Sequence, residues 1–176
     1  MRSSHLIFHT VPWDHPVAHA LRLAQHRELE RITPPDSRYD AGADPSPTDD
    51  PHYVIAQQRT TLDAIGGGGF RRIDPTTAEL KRLYLMPMSR GSGAAAELLT
   101  AVEDAAREAG FTRLVTEAAV FQDAGRRLYL SAGFTEAPAF EPYVGAVESV
   151  CYAKDLVVQA RATAATARRA GLYLSG

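Results

Sequence analysis

The stretch from Glu79 to Gly110 most constrains what this chain can fold into. It runs Glu79-Leu-Lys-Arg-Leu-Tyr-Leu85, then Met86-Pro-Met-Ser-Arg-Gly-Ser-Gly93, then an alanine- and leucine-rich segment. Leu98, Leu99, Val102, Ala105, Ala106 and Ala109 recur at helical spacing, with Glu97, Glu103, Asp104, Arg107 and Glu108 on the other faces. Gly110 is the C′ residue such a helix wants. The residues before Pro87 read as a strand, although Leu80, Arg82 and Tyr84 against Lys81, Leu83 and Leu85 alternate in a mixed way. A strand that turns through glycines into a helix gathers unpaired N–H groups and the positive dipole end at one point, and such a point binds anions. Gly91 and Gly93 let the backbone come close, Ala94 and Ala95 keep the first turn thin, and Arg90 adds a cation that can pair with phosphate. The chemistry this pattern suggests is pyrophosphate binding.

The flanking sequence places that turn in a mixed α/β chain. Leu6-Ile-Phe reads as a first strand. Val17, Leu21, Ala24, Leu29 and Ile32 form an apolar stripe, so a helix is expected from about 15 to 32, with Asp14 as N-cap and Pro16 as an early helical proline. Pro34 and Pro35 end it. Residues 33–51 hold five prolines and five aspartates with no periodicity; a loop of this length is usually functional or disordered. Strands are expected at Tyr53-Val-Ile-Ala, at 64–73, at 113–117, near Phe134 and at 149–156, and a helix from Gln122 to Ala132 closed by Gly133. The order is β-α-β-β-β-α-β-α-β-β, with hairpins in the middle and helical crossovers near the end. Residues 1–156 read as one domain, and 157–176 as a tail, helical or frayed.

Composition narrows the function classes. The chain has 176 residues, 45% apolar and 23% charged, enough for one unaided core. A net charge of −2 argues against a generic nucleic-acid binder. One cysteine forbids an internal disulfide or a cysteine zinc cluster. No apolar run approaches the ~18 residues of a membrane span, and the apolar stretch near Met1 is too short for a signal peptide. The expectation is a soluble, cytoplasmic protein.

Three readings of the turn compete. One is a tight glycine turn with no ligand. A second is a dinucleotide-binding turn: Gly91-Ser-Gly93-Ala-Ala-Ala96 satisfies G-x-G-x-x-A, and Glu117 ends the next strand where a ribose-binding acid would lie. Against it, Lys81 and Arg82 sit in a strand that a doubly wound parallel sheet would make nearly all apolar. The third is a family resemblance. The segment Glu79 to Leu99 resembles the acyl-CoA-binding segment of GNAT-superfamily N-acetyltransferases, whose pattern Gln/Arg-x-x-Gly-x-Gly/Ala is matched by Arg90, Gly93 and Ala95. Gln122 to Phe134 is similar to that family's helix ending in Leu-Tyr-x-x-x-Gly-Phe, at a fitting distance.

The resemblance implies a GNAT fold, with a mixed central sheet, antiparallel N-terminal hairpins and flanking helices. It implies direct transfer of an acetyl group from acetyl-CoA to a primary amine of a small molecule or amino acid. The backbone at Leu83 and Leu85 would hold the pantetheine arm, and an N–H there would polarise the thioester carbonyl. The amides of Arg90, Gly91, Ser92, Gly93, Ala94 and Ala95 would hold the pyrophosphate. Gln122 stands where the family often has a cofactor-touching asparagine, and Arg126 reaches for a cofactor phosphate unless it is only a solvated helix residue. The acceptor ammonium must lose a proton, so a carboxylate base is needed. Glu79 matches a position several members use, and Glu117 is the second candidate. Tyr129 matches the usual proton donor to the departing thiolate. A homodimer is the usual family outcome. The rival class is a non-catalytic acyl-CoA-binding module, and a longer acyl group is a further alternative.

Other features carry blander readings beside sharper ones. Gly66 to Gly69 is a thin or bent strand, or a place where an acceptor or partner approaches the backbone. His15 and His19 have metal-ligand spacing without a third ligand, so no metal is expected. Cys151 reads as a buried inert thiol. The loop 33–51 is a solvated segment, or a wall of the acceptor pocket whose aspartates attract a cationic amine.

Overall fold

The computed structural model describes residues 5–37, 39, 44–46 and 49–156. The expected tail at 157–176 lies outside the described residues. The elements are β1 (Leu6–Pro12), α1 (Pro16–Ile32), β2 (His52–Gln58), β3 (Ala64–Arg72), β4 (Thr77–Leu85), α2 (Ala94–Glu108), β5 (Arg113–Ala119), α3 (Asp123–Ser131), β6 (Thr135–Glu136) and β7 (Ser149–Asp155). The order is the expected one, and the class is mixed α/β. One seven-stranded sheet runs β1-β2-β3-β4-β5-β7-β6. The first four strands pair antiparallel with their neighbours, as hairpins at β2–β3 and β3–β4 and across α1 at β1–β2; β4 and β5 run parallel, and β7 returns antiparallel to β5.

Alternation along β2 explains the layers. Val54 and Ala56 join the larger core, which α2 fills with Leu98, Leu99 and Val102. Tyr53 and Ile55 point to the opposite face and join Trp13, Ala18 and Leu21, the cluster beneath α1. The four glycines of β3 lie between these layers. A Cβ on Gly67 would fall 2.3 Å from the Tyr53 ring, and one on Gly69 would fall 2.4 Å from Trp13. On the other face, Gly66 and Gly68 give way to Leu85 and Leu83. The strand is thin because the protein's own large side chains lie across it.

One capping expectation is corrected. The N-cap of α1 is His15, not Asp14: its Nδ1 accepts from the Val17 N–H at 3.3 Å. Pro16 takes the first helical position, so the cap must be the residue directly before it.

Two irregularities place the site. Gly67 pairs with Tyr84 and Gly69 with Lys81, so Gly68 alone faces Arg82 and Leu83, a β-bulge with Arg82 at φ +58°. Bulges bend a strand and increase its twist. The ladder between β4 and β5 covers only Thr77–Arg113, Ala78–Leu114 and Glu79–Val115. Beyond it the Thr116 hydroxyl, rather than an amide, reaches the Leu80 carbonyl at 3.1 Å. The two strands therefore part, and a cleft opens between them.

Candidate active site

The cleft has a volume of about 880 Å³ and is walled by α1, the splayed halves of β4 and β5, the start of α2, and α3. Of the residues expected to form the site, it brings together Glu79, Leu83, Leu85, Arg90, Gly91, Ala95, Gln122 and Tyr129, with Glu117 as well. Ser92, Gly93 and Ala94 complete the turn behind Gly91 without lining the cleft.

At one end lies the glycine turn. A short 3₁₀ turn, Pro87–Ser89, leads into it. Gly91 and Gly93 have φ of +79° and +89°, the left-handed region that glycine enters without a Cβ penalty. The Gly91, Ser92, Gly93 and Ala95 amides have no hydrogen-bond partner among the described residues, whereas Ala94 N–H meets the Ser92 hydroxyl at 3.4 Å. Four free donors at the start of a fifteen-residue helix fit an anionic diphosphate. Arg90 turns back from this point. Its Nε and Nη2 donate to the Leu85 carbonyl at 3.0 and 2.8 Å, and its Nη1 pairs with Glu28 at 2.8 Å. The hydrogen bond from Arg90 holds the Glu28 carboxyl below its usual range. Gln25 Nε2 donates to the Leu83 carbonyl at 2.9 Å. The carbonyls of Leu83 and Leu85 thus point into the cleft rather than at β3. In a strand a residue's N–H points the same way as its carbonyl.

At the other end stand two carboxylates and three phenols. Glu79 is 1% exposed. Arg71 Nε donates to its Oε2 at 2.5 Å, the Tyr143 hydroxyl donates to its Oε1 at 2.8 Å, and Lys81 Nζ lies 3.3 Å from that same oxygen. Glu117 has less company. Its Oε2 accepts from the Tyr39 hydroxyl at 3.2 Å, and its Oε1, sealed from water, has no hydrogen-bond partner. Burial pushes its carboxyl up to about 7, against the weaker pull of the Ser149 and Tyr39 hydroxyls and Lys81. Burial likewise pushes the Tyr129 phenol up to about 12, so its proton stays in place at neutral pH.

Several expected contacts fall elsewhere. Arg126 is not in the cleft: its Nε donates to the Tyr152 hydroxyl at 3.0 Å and its Nη1 to the Val120 carbonyl at 3.1 Å. The neighbouring Arg127 lines the cleft instead, a difference of one helical step that stripe reading does not resolve. Gln122 caps α3, and its Oε1 accepts from the Ala119 N–H at 3.0 Å, pinning the loop that leaves β5. The aspartates of 33–51 do not form a free acidic wall. Asp44 pairs with Arg82 at 3.1 Å and Arg22 at 3.7 Å, Asp49 with Arg71 at 3.4 Å, and Asp50 with Arg72 at 3.2 Å. Asp40 lies outside the described residues. The sequence reading missed Tyr39, Tyr143, Gln25 and Glu28. Tyr39 alone left a trace, as the one aromatic residue in an otherwise polar, proline-rich segment.

The chain's similarities agree with this geometry. The model of the acetyltransferase (GNAT) family matches residues 16–134. An IAA acetyltransferase of Azospirillum brasilense is 33% identical over 90 residues, which are 51% of this chain and 53% of that protein. The chain spans about half the length of the curated relatives it matches. Among solved structures, a protein from Klebsiella pneumoniae subsp. pneumoniae MGH 78578 assigned to the acyl-CoA N-acyltransferases superposes with a TM-score of 0.71 at 24% identity, covering 86% of this chain and 97% of its own. A GNAT family acetyltransferase from Elizabethkingia anophelis with acetyl-CoA bound gives 0.63 at 15% identity, covering 88% and 100%. At these identities the structural likenesses speak for the fold.

Proposed function

The chain belongs to the acetyltransferase (GNAT) family, and from that premise we propose that it transfers an acetyl group from acetyl-CoA directly to the primary amine of a small molecule or amino acid. The observation that carries this reading is the Glu117 carboxylate, with one dry, unpartnered oxygen, at the far end of a cleft that begins beside a turn with four free amides. An unpaired buried acceptor is costly until a donor arrives. An ammonium group would supply that donor.

Bound acetyl-CoA would supply an acyl group activated as a thioester. The amides of Gly91, Ser92, Gly93 and Ala95 would hold its diphosphate, and the cleft-facing backbone of Leu83 and Leu85 its pantetheine arm. The Arg90 and Ala94 amides, expected in the same role, are engaged within the turn, by the Pro87 carbonyl at 3.3 Å and the Ser92 hydroxyl at 3.4 Å. Glu117 Oε1 accepts the proton of the incoming ammonium; a carboxyl near 7 is matched to base work at neutral pH. The Tyr129 hydroxyl keeps its proton for the departing thiolate. Glu79, the first candidate from the resemblance, has both oxygens engaged by Arg71, Tyr143 and Lys81, so we assign it to holding that corner together rather than to proton removal. Cytoplasmic residence and a homodimeric state belong to the same proposal. No described helix is long and apolar enough to cross a membrane.

Calorimetric titration with acetyl-CoA, followed by thiol release with a panel of amines, tests the reading. Micromolar binding and amine-dependent release are expected, and Gly93→Val should abolish binding, since a β-branched residue disfavours the φ of +89°. Binding without release for any amine would turn the reading into that of a binding module, and no binding would end it.

A further inference from the structure

The segment between α1 and β2 touches, through Tyr39, the carboxylate just assigned as base. Three contacts fix Tyr39. Its ring meets Phe121 edge-on, with centroids 5.5 Å apart and planes at 84°. Its backbone N–H donates to the Ser37 hydroxyl oxygen at 3.0 Å, and that hydroxyl in turn donates to Glu148 Oε2 at 3.1 Å, just before β7. Its own hydroxyl donates to Glu117 Oε2 at 3.2 Å. Both Tyr39 and Phe121 line the cleft. A phenol held by ring, backbone and hydroxyl at once has little freedom to leave the carboxylate.

We propose that Tyr39 is a positioning residue for the reaction: it holds Glu117 Oε2 so that Oε1 remains the oxygen available to the acceptor ammonium. The inference rests on the reading of Glu117 as base. The other groups facing Glu117 are Lys81 and Glu79 from β4, Tyr129 from α3, Tyr143 from the loop before β7, and Ser149 and Cys151 on β7. None of them is altered by Tyr39→Phe, which keeps the ring on Phe121 and removes one donor to the anion. Losing a donor to the charged form makes that form harder to reach. The midpoint of Glu117 should therefore move up.

The test is a ¹³C-carboxyl NMR titration of the full chain labelled at glutamate, with the Glu117 resonance assigned by its loss in Glu117→Gln. It is run on the wild type and Tyr39→Phe, beside their pH–turnover profiles. The expected result is a midpoint and an acid limb that rise together by about 0.5–1 pH unit, with the KM for acetyl-CoA unchanged within about twofold. A midpoint and limb that both stay in place overturn the inference and leave Glu117 standing as base. A midpoint that rises while the limb stays overturns the choice of Glu117, and the inference with it.

Discussion

Glu79 and Glu117 stand on neighbouring parallel strands and line the same cleft, yet they meet opposite surroundings. Glu79, on the β4 side, is compensated by a guanidinium, an ammonium and a phenol. Glu117, on the β5 side, has the Tyr39 phenol on one oxygen and no hydrogen-bond partner on the other, and the Ser149 hydroxyl and Lys81 offset its burial only in part. The contrast teaches that depth alone does not make a base. A deeply buried carboxylate can have its charge matched by its partners, whereas a less buried one with little compensation holds a proton near pH 7.

The comparison can be broken most severely at the β4 corner. Glu79→Gln leaves Arg71 and Lys81 facing an uncharged amide where a carboxylate stood, and breaking a buried charge cluster costs about 3 kcal/mol or more. The expected outcome is a fall in Tm of about 6–12 °C by differential scanning calorimetry, with turnover per folded molecule largely kept at low temperature. At the β5 corner the order reverses. Glu117→Gln should lower turnover about 100-fold or more while acetyl-CoA affinity, read by calorimetry, stays within about twofold.

The same variant sharpens the comparison through stability. Glu117 rises from 4.5 to about 7 on folding, so between those values the folded chain binds more protons than the unfolded one. Stability contributed by this group falls as pH climbs through that window, by on the order of 3 kcal/mol at most. Glu117→Gln should therefore melt a few degrees higher than the wild type at pH 8, and the gain should vanish at pH 4.5. An acid limb of turnover near pH 7 in the wild type belongs to the same titration. Smallest is Tyr129→Phe, with about a tenfold loss of turnover and unchanged acetyl-CoA affinity. The leaving thiolate has a reference pKa near 8.5 and depends only partly on a proton donor.

Much of the fold was legible because its signals are local. The glycine turn is written in Pro87, Gly91 and Gly93, whose backbone preferences act within a few residues. The two amphipathic helices and their closing glycines, Gly110 and Gly133, have φ of +95° and +87°, as C′ residues do. Strand ends were less legible, since pairing sets them. β1 runs past Phe8 to Pro12 because Val11 and Pro12 find Tyr53 and His52 on β2. The aspartates of 33–51 looked like an acidic surface in a linear reading, and arginines from α1, β3 and β4 neutralise three of them.

By itself, then, the sequence determined the element order, the glycine turn before α2 and the set of candidate acids, because propensity, periodicity and glycine stereochemistry are properties of short stretches. Tertiary structure alone decided which acid is compensated, which of Arg126 and Arg127 faces the cleft, and that Tyr39 reaches Glu117. Those outcomes depend on side chains separated by up to 78 positions meeting in a low-dielectric space, where partners and burial, rather than residue type, set the charge.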